Sequence, residues 1–278
     1  NGSPFEPEPF IARSREEIIS ASKSKYCPVP VNIILKEILQ SEPEMKYAIV
    51  GLPCQIQGIR KAMLINEKLR GKIAFQIGLF CSHSDNFHQN DQILSELGVD
   101  KGDVSKINYR GEGWPGQMSV ELKNSQVVFF PYFKGILYHT MWFNVIERCL
   151  FCCDLTAELA DISCGDPWLD EVLSNEKMGK SILIARSDVG TSLYSNAKKA
   201  GYIEADTLDP SKVHIAGDMM VSKKKDIFGR FFIRKLFGKS IPSYNTELVQ
   251  PNFKNYARGI AIYVNAWVSS KSAFRKLV

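Results

Sequence analysis

Apolar residues along this 278-residue chain follow two rhythms. In KYAIVGL (46–52) and KIAFQIGLF (72–80) they run almost unbroken, the pattern of buried strands. Between them, CQIQGIRKAMLINEKL (54–69) sets Ile56, Ile59, Met63 and Leu64 at roughly helical spacing. Together these predict a strand–helix–strand unit with a right-handed parallel crossover. Short helices are expected over 15–24 and 28–40, and another over 86–98, stopped by Gly98. The rhythm then changes to alternation in SKINYR, QMSVELK and QVVFFPY, split by GEGWPG and KNSQ, which predicts antiparallel strands. A helix over 136–150, a strand in GKSILIARS (179–187), a helix over 192–201 ended by Gly201 and an extended edge at YIEADTL complete the body. The expected fold class is mixed α/β (α+β): a partly parallel sheet, added antiparallel strands and a C-terminal helical extension.

The extension begins near residue 211. KKKDIFGRFFIRKLFGK places Ile227, Phe231, Ile233 and Leu236 among Lys and Arg, an amphipathic basic helix expected to break or kink near Gly229. Residues 252–276 carry Tyr256, Ile260, Tyr263, Val264 and Trp267 as a further helical stretch. Residues 211–278 hold 13 basic and 3 acidic side chains, the remainder 22 basic and 27 acidic. This asymmetry divides the chain into a body, 1–210, and a basic extension, 211–278. Its apolar face is expected to pack on the acidic body, with at most weak peripheral membrane contact. The overall charge of +5 hides the asymmetry and gives no reason to expect nucleic acid. No apolar run approaches a membrane span, and NGSPFEPEPF predicts no signal peptide. A Pro-rich opening without Met reads as a piece beginning inside a longer protein.

Cysteine usage sharpens the picture. Seven is an odd number, and CLFCC packs three into one short stretch, which does not suit a secreted disulfide framework. Reduced thiols in a cytoplasmic protein are expected. Cys54 and Cys81 each follow a predicted strand, at the carboxyl edge where open α/β sheets place ligands. Cys149 and Cys152 form CxxC, a spacing that lets two thiolates chelate one centre. Four thiolates suit a 4Fe–4S cubane, while tetrahedral zinc more often uses two CxxC knuckles. Spacing favours the cluster and leaves zinc and inert core thiols open. Cys27, Cys153 and Cys164 read as packing residues, and His83 as a hydrogen-bonding loop residue.

The same stretches carry a resemblance. GLPCQIQGIRK (51–61), IGLFC (77–81), INYRGEGWPG (107–116) and RCLFCCDLTAELADISCGDPW (148–168) resemble, in order, the coenzyme F420 hydrogenase/dehydrogenase beta-subunit family. SREEIISASKSKY (14–26) and GKSILIARSDVG (179–190) extend the likeness. It implies a flavoprotein oxidoreductase holding FAD and one 4Fe–4S cluster, with hydride moving to or from the flavin and single electrons passing through the cluster. The family's cluster ligands fall on Cys54, Cys81, Cys149 and Cys152. Its Gly/Ser-rich turn and Thr that help bind flavin would precede residue 1, so FAD binding is expected to need that segment. The basic extension looks more like that of relatives associated with surface-polysaccharide synthesis, which leaves coenzyme F420 as one candidate substrate.

Candidate flavin-side residues are Ser24, Lys25 and Tyr26, then Tyr109, Arg110 and Trp114 around a Gly-rich turn, then Asp161, Gly165 and Asp166 after the CxxC. A lysine near the flavin would stabilise a reduced anion; equally, these residues serve as a solvated helix end, a hairpin and a loop anchor. The alternatives to an enzyme with its own small-molecule redox substrate are two. One is an electron-transfer subunit of a larger complex. The other is a zinc-stapled, non-catalytic binding protein. A redox partner protein or subunit is expected for either of the first two.

Overall fold

The computed structural model describes residues 3–131, 141–212, 218–244 and 249–271. Helix α1 (Arg15–Ala21) opens on a Ser14 cap whose hydroxyl accepts from Glu17 N, while the Glu17 carboxylate accepts from Ser14 N. A 3₁₀ turn (Val31–Ile34) leads into α2 (Leu35–Gln40). Strand β1 (Tyr47–Gly51), α3 (Pro53–Ile65), α4 (Glu67–Lys72) and β2 (Ile73–Leu79) then make the expected crossover, with β1 and β2 parallel. Between α3 and α4 the backbone turns at Asn66, whose side chain accepts from Leu69 N and starts α4 afresh. The predicted single helix over 54–69 is therefore two. Ile56 and Ile59 are fully buried, but Leu64 stands 77% exposed because the helix meets its sheet along a narrower stripe than the sequence pattern suggested. Strand β1 is also less buried than expected: it is an edge strand, and Val50 faces outward.

After α5 (His88–Leu97), strands β3 (Val104–Gly111), β4 (Gln117–Leu122) and β5 (Val127–Pro131) form the predicted antiparallel sheet. Ile93 and Leu94 of α5 pack into its inner face against Tyr109, Met118, Val120 and Phe130. Of the helix expected over 136–150, residues 136–140 lie outside the described residues. From 141 to 146 there is no helix, and Glu147–Phe151 forms a 3₁₀ turn. The physical reason is competition for backbone groups: Asn86 N donates to Asn144 O and Ile146 N to Ser84 O, zipping this segment to the one after β2.

Strand β6 (Ile162–Gly165) escaped the sequence pattern because it is four residues long. It pairs parallel with β2 and antiparallel with β7 (Ile182–Ala185), giving the order β1-β2-β6-β7. Helices α6 (Asp170–Asn175) and α7 (Asp188–Lys199) flank β7, and YIEADTL joins no strand. Mixed parallel and antiparallel sheets with C-terminal helices match the fold class read from the sequence.

The two C-terminal helices are α8 (Asp218–Leu236) and α9 (Phe253–Ser269). Helix α8 runs through Gly229 without a break. Gly229 is a crossing point instead: a Cβ there would sit 2.1 Å from Tyr256 O, and one on Gly259 2.0 Å from Asp226 O. Ile262, Tyr263 and Ala266 of α9, joined by Ile233 of α8, pack on Val145 and Leu150 beside the CxxC. No helix among the described residues is long and apolar enough to cross a membrane.

The crossing yields a prediction. Gly259→Ala forces two helix backbones apart and should destabilise the fold by about 1–3 kcal/mol. Denaturant unfolding should show a lowered midpoint; a wild-type midpoint would mean the helices do not meet backbone to backbone.

Candidate functional site

Parallel pairing puts the carboxyl ends of β1, β2 and β6 on one rim. Cys54 sits at the second position of α3, just past β1, where Pro53 opens the helix and the Gln55 side chain accepts from Leu52 N. Cys81 follows β2 and is held by its own N–H donating to Leu155 O. The 3₁₀ turn carries Cys149, whose sulfur accepts from Ser84 N at 3.3 Å, and Cys152 lies immediately beyond it. The loop after the CxxC is pressed onto β2. A Cβ on Gly78 would lie 2.2 Å from the Ala157 methyl, so glycine is what lets this loop reach the sheet.

The result is that the four predicted thiols share one environment. Electrostatic coupling links each of Cys54, Cys81, Cys149 and Cys152 with the other three. Among the described residues, no three Cys, His, Asp or Glu side chains converge as a single-ion site. Burial pushes the Cys149 thiol up to about 11, against the opposing pull of the Ser84 N–H and Lys223. Burial also raises Cys54 and, much further, Cys81. These thiols are therefore protonated at neutral pH in the metal-free chain, and a metal would have to displace their protons. Cys153 is coupled to Cys152 alone of the four, Cys164 to none, and Cys27 belongs to the antiparallel-sheet core. His83 is buried and stacked on Trp142, with centroids 4.1 Å apart.

Two cations from α8 enter this site. The Lys223 ammonium donates to Cys81 O at 2.8 Å and to Asp154 O at 3.0 Å. The Arg230 guanidinium, 1% exposed, donates to Cys152 O at 3.3 Å and lies 5.4 Å from the centre of the Trp142 ring. Burial lowers its pKa to about 10, countered by Asp226 and Cys152. Its Nε and Nη1 have no hydrogen-bond acceptor among the described residues. A cleft of about 50 Å³ reaches Cys54 and Cys152 from outside, lined also by Arg148, Cys153, Asp154 and Tyr244.

The candidate flavin-side residues separate into groups. Arg110, Trp114 and Asp166 form one cluster: Arg110 Nη1 meets Asp166 Oδ2 at 2.6 Å, and Trp114 Nε1 donates to Asp166 Oδ1 at 3.2 Å. Trp168, which has no sequence signal of its own, packs 5.4 Å from the Trp114 ring and beneath Arg110. This cluster adjoins the thiols, because Leu79 pairs with Cys164, placing Cys81 and Asp166 two residues beyond the same rung. Gly165 lies under the Phe80 ring. Tyr109 is buried, edge-on to Tyr26, with its hydroxyl donating to Asn90. Ser24 is exposed, and the Lys25 ammonium turns back on the carbonyls of Ala21, Ser22 and Lys23. Asp161 lies apart from the cluster and accepts from Gln76 N and Ser187 Oγ while pairing with Arg60.

Residues 44–211 match the profile for the C terminus of the coenzyme F420 hydrogenase/dehydrogenase beta subunit, and residues 1–36 match the profile for its N-terminal part. The chain belongs to this family. It is 29% identical to the coenzyme F420 hydrogenase subunit beta of Methanosarcina barkeri, over 75% of this chain and 67% of that one. It is 26% identical to the same-named subunit of Methanococcus voltae, over 84% and 79%. A chain in the F420-reducing NiFe hydrogenase complex from Methanosarcina barkeri superposes with a TM-score of 0.62 at 24% identity, over 88% of this chain and 81% of that one, a likeness of fold.

Asp161 carries a structural prediction. Asp161→Ala should cost roughly 2–3 kcal/mol, because it leaves the buried Gln76 N–H without its acceptor and removes the partner of Ser187 Oγ and Arg60. Thermal unfolding reads the loss, and retention of the wild-type midpoint would refute the anchoring role.

Proposed function

We propose that this chain is a flavin- and 4Fe–4S-dependent oxidoreductase that works with a redox partner subunit. One observation carries the reading: parallel strand ends and a CxxC turn bring Cys54, Cys81, Cys149 and Cys152 within electrostatic reach of one another, beside two cations. A thiolate-ligated cluster supplies the negative charge that Lys223 and Arg230 lack. Four thiols that each act on the other three offer a cubane its four ligands, and a lone CxxC suits structural zinc less well than two would. Bound together, flavin and cluster supply conversion between a hydride's electron pair and single electrons.

The chain's own residues hold, orient and shield. The zipped segments 84–86 and 144–146 fix Cys81 relative to Cys149. Arg110, Trp114, Gly165 and Asp166 offer a charged, ring-lined wall next to that site, and are the flavin-side candidates nearest the thiols. Ser24, Lys25, Tyr26 and Tyr109 would act from the far side of β3, and Asp161 through the loop it anchors. Relatives named as subunits of coenzyme F420 hydrogenase support a deazaflavin-type hydride donor or acceptor and a partner subunit. A cytoplasmic location fits the free thiols. Ile227 and Phe231 of α8 pack on the body, while Phe232, Leu236 and Phe237 stand exposed, so any peripheral membrane contact would run through those three and should be weak.

The test is anaerobic purification with iron, zinc and flavin analysis. Replacing any of Cys54, Cys81, Cys149 or Cys152 by Ser should cut iron content several-fold, while Cys153→Ser and Cys164→Ser leave it unchanged. Zinc in place of iron, or full iron occupancy in Cys54→Ser, would overturn the assignment.

A further inference from the structure

Helix α8 lies beyond residues 44–211, the part that matches the C-terminal family profile. Yet two of its side chains are buried against the backbone of the thiol loops, whereas Arg148, which also acts on Cys54, lines the open cleft. Lys223 is 5% exposed and Arg230 1%. They stand seven positions apart, on the same helix face as the fully buried Ile227. The Lys223 ammonium joins two separate segments: Cys81 O belongs to the loop after β2, and Asp154 O to the loop after the CxxC. Arg230 adds Cys152 O and ties Lys223 O to the same guanidinium. Lys223 acts electrostatically on Cys54, Cys81 and Cys149, and Arg230 on Cys152, so the pair covers all four sulfurs. Among the described residues, neither cation is there to satisfy an acidic partner at close range. Asp226, on the same helix, is engaged by Arg258 at 2.6 Å, and Lys224 rather than Lys223 pairs with Glu158. Their acidic neighbours act from further off, Asp226 on Arg230 and Asp154 on Lys223, and burying two charges in this way is costly unless more negative charge is at hand.

We propose that Lys223 and Arg230 are positioning residues for the metal centre: they clamp the Cys81 and Cys152 loops together and set the reduction potential of the cluster held there. The inference rests on the cluster reading above. Each electron taken up adds one negative charge to the site, and a buried cation favours the more negative state. Removing either cation therefore lowers the potential, while keeping the charge preserves it.

The experiment uses the whole chain, purified anaerobically, with dithionite titration followed by electron paramagnetic resonance. Lys223→Gln keeps a hydrogen-bond donor and loses the charge; Lys223→Arg keeps the charge; Arg230→Gln tests the second cation alone. Lys223→Gln should shift the oxidised-to-reduced ratio about tenfold toward oxidised, near 60 mV for one electron. Lys223→Arg should stay close to wild type. A cluster-loaded Lys223→Gln or Arg230→Gln protein with the wild-type potential would overturn the proposal. If Lys223→Gln fails to load iron, Arg230→Gln alone decides. Wild-type protein with no iron would overturn the cluster reading itself, and is told apart by metal analysis before any titration.

Discussion

The parallel pairing of β1, β2 and β6 is the constraint on which the site depends. Register fixes Gly51 opposite Gly78, and Leu79 opposite Cys164, so all three strands end at one level. Whatever follows each strand must then leave from the same rim: α3 with Cys54, the turn with Cys81, the loop with Asp166. Parallel strands need crossovers, and the α3–α4 pair provides the first. Between β2 and β6 the crossover is replaced by a long excursion containing α5, the antiparallel sheet and the CxxC turn. That excursion returns over β2 through the Gly78–Ala157 contact. A one-residue slip of β2 would turn Gly78 away and put a side chain where the loop must pass. The chemistry of the rim therefore rests on backbone hydrogen bonds that involve none of the sulfurs.

Chain charge is arranged to match. The acidic excess of residues 1–210 and the basic excess of 211–278 meet along α8. Part of that meeting is ordinary surface pairing, as in Arg234 with Glu147. The part that matters is different in kind. Lys223 and Arg230 bond to carbonyl oxygens rather than carboxylates, so they orient the loops without neutralising their own charge. The thiols around them are the groups that can answer with negative charge once their protons are displaced.

The sequence was most legible where the signal is local. Unbroken apolar runs marked β1 and β2, alternation marked β3 to β5, and CxxC marked the thiol turn. It failed where long-range contacts decide. The segment 141–150 reads as helical by apolar spacing, but backbone pairing with 84–86 claims it first. Strand β6 is too short to show a period, and its identity comes from lying between β2 and β7. Gly229 reads as a helix breaker by propensity, whereas its real partner is Gly259, on another helix. Lys223 and Arg230 were visible only as two among many basic residues. Their spacing with Ile227 did place them on the apolar face, a cue that charge on a buried stripe is seldom decorative. What it could not give was their partner, which lies 142 positions away at Cys81.

The same burial couples assembly of the site to stability of the fold. In the metal-free chain burial holds Cys54, Cys81 and Cys149 protonated, so these three offer no counter-charge to the two cations, whose acidic neighbours are Asp226 for Arg230 and Asp154 for Lys223. Were a metal centre held here, its binding would displace those protons, and its binding free energy would count as folding free energy. Helix α8 meets the site through those cations and packs on the body through Ile227 and Phe231, and α9 adds its own apolar contacts with Val145 and Leu150 to its crossing with α8. The sheets do not depend on the site: their cores of Ile38, Ile49, Ile59 and of Tyr109, Met118, Phe130 owe nothing to its sulfurs. The C-terminal helices thus join the thiol site to the fold by two means at once, buried cations and apolar packing.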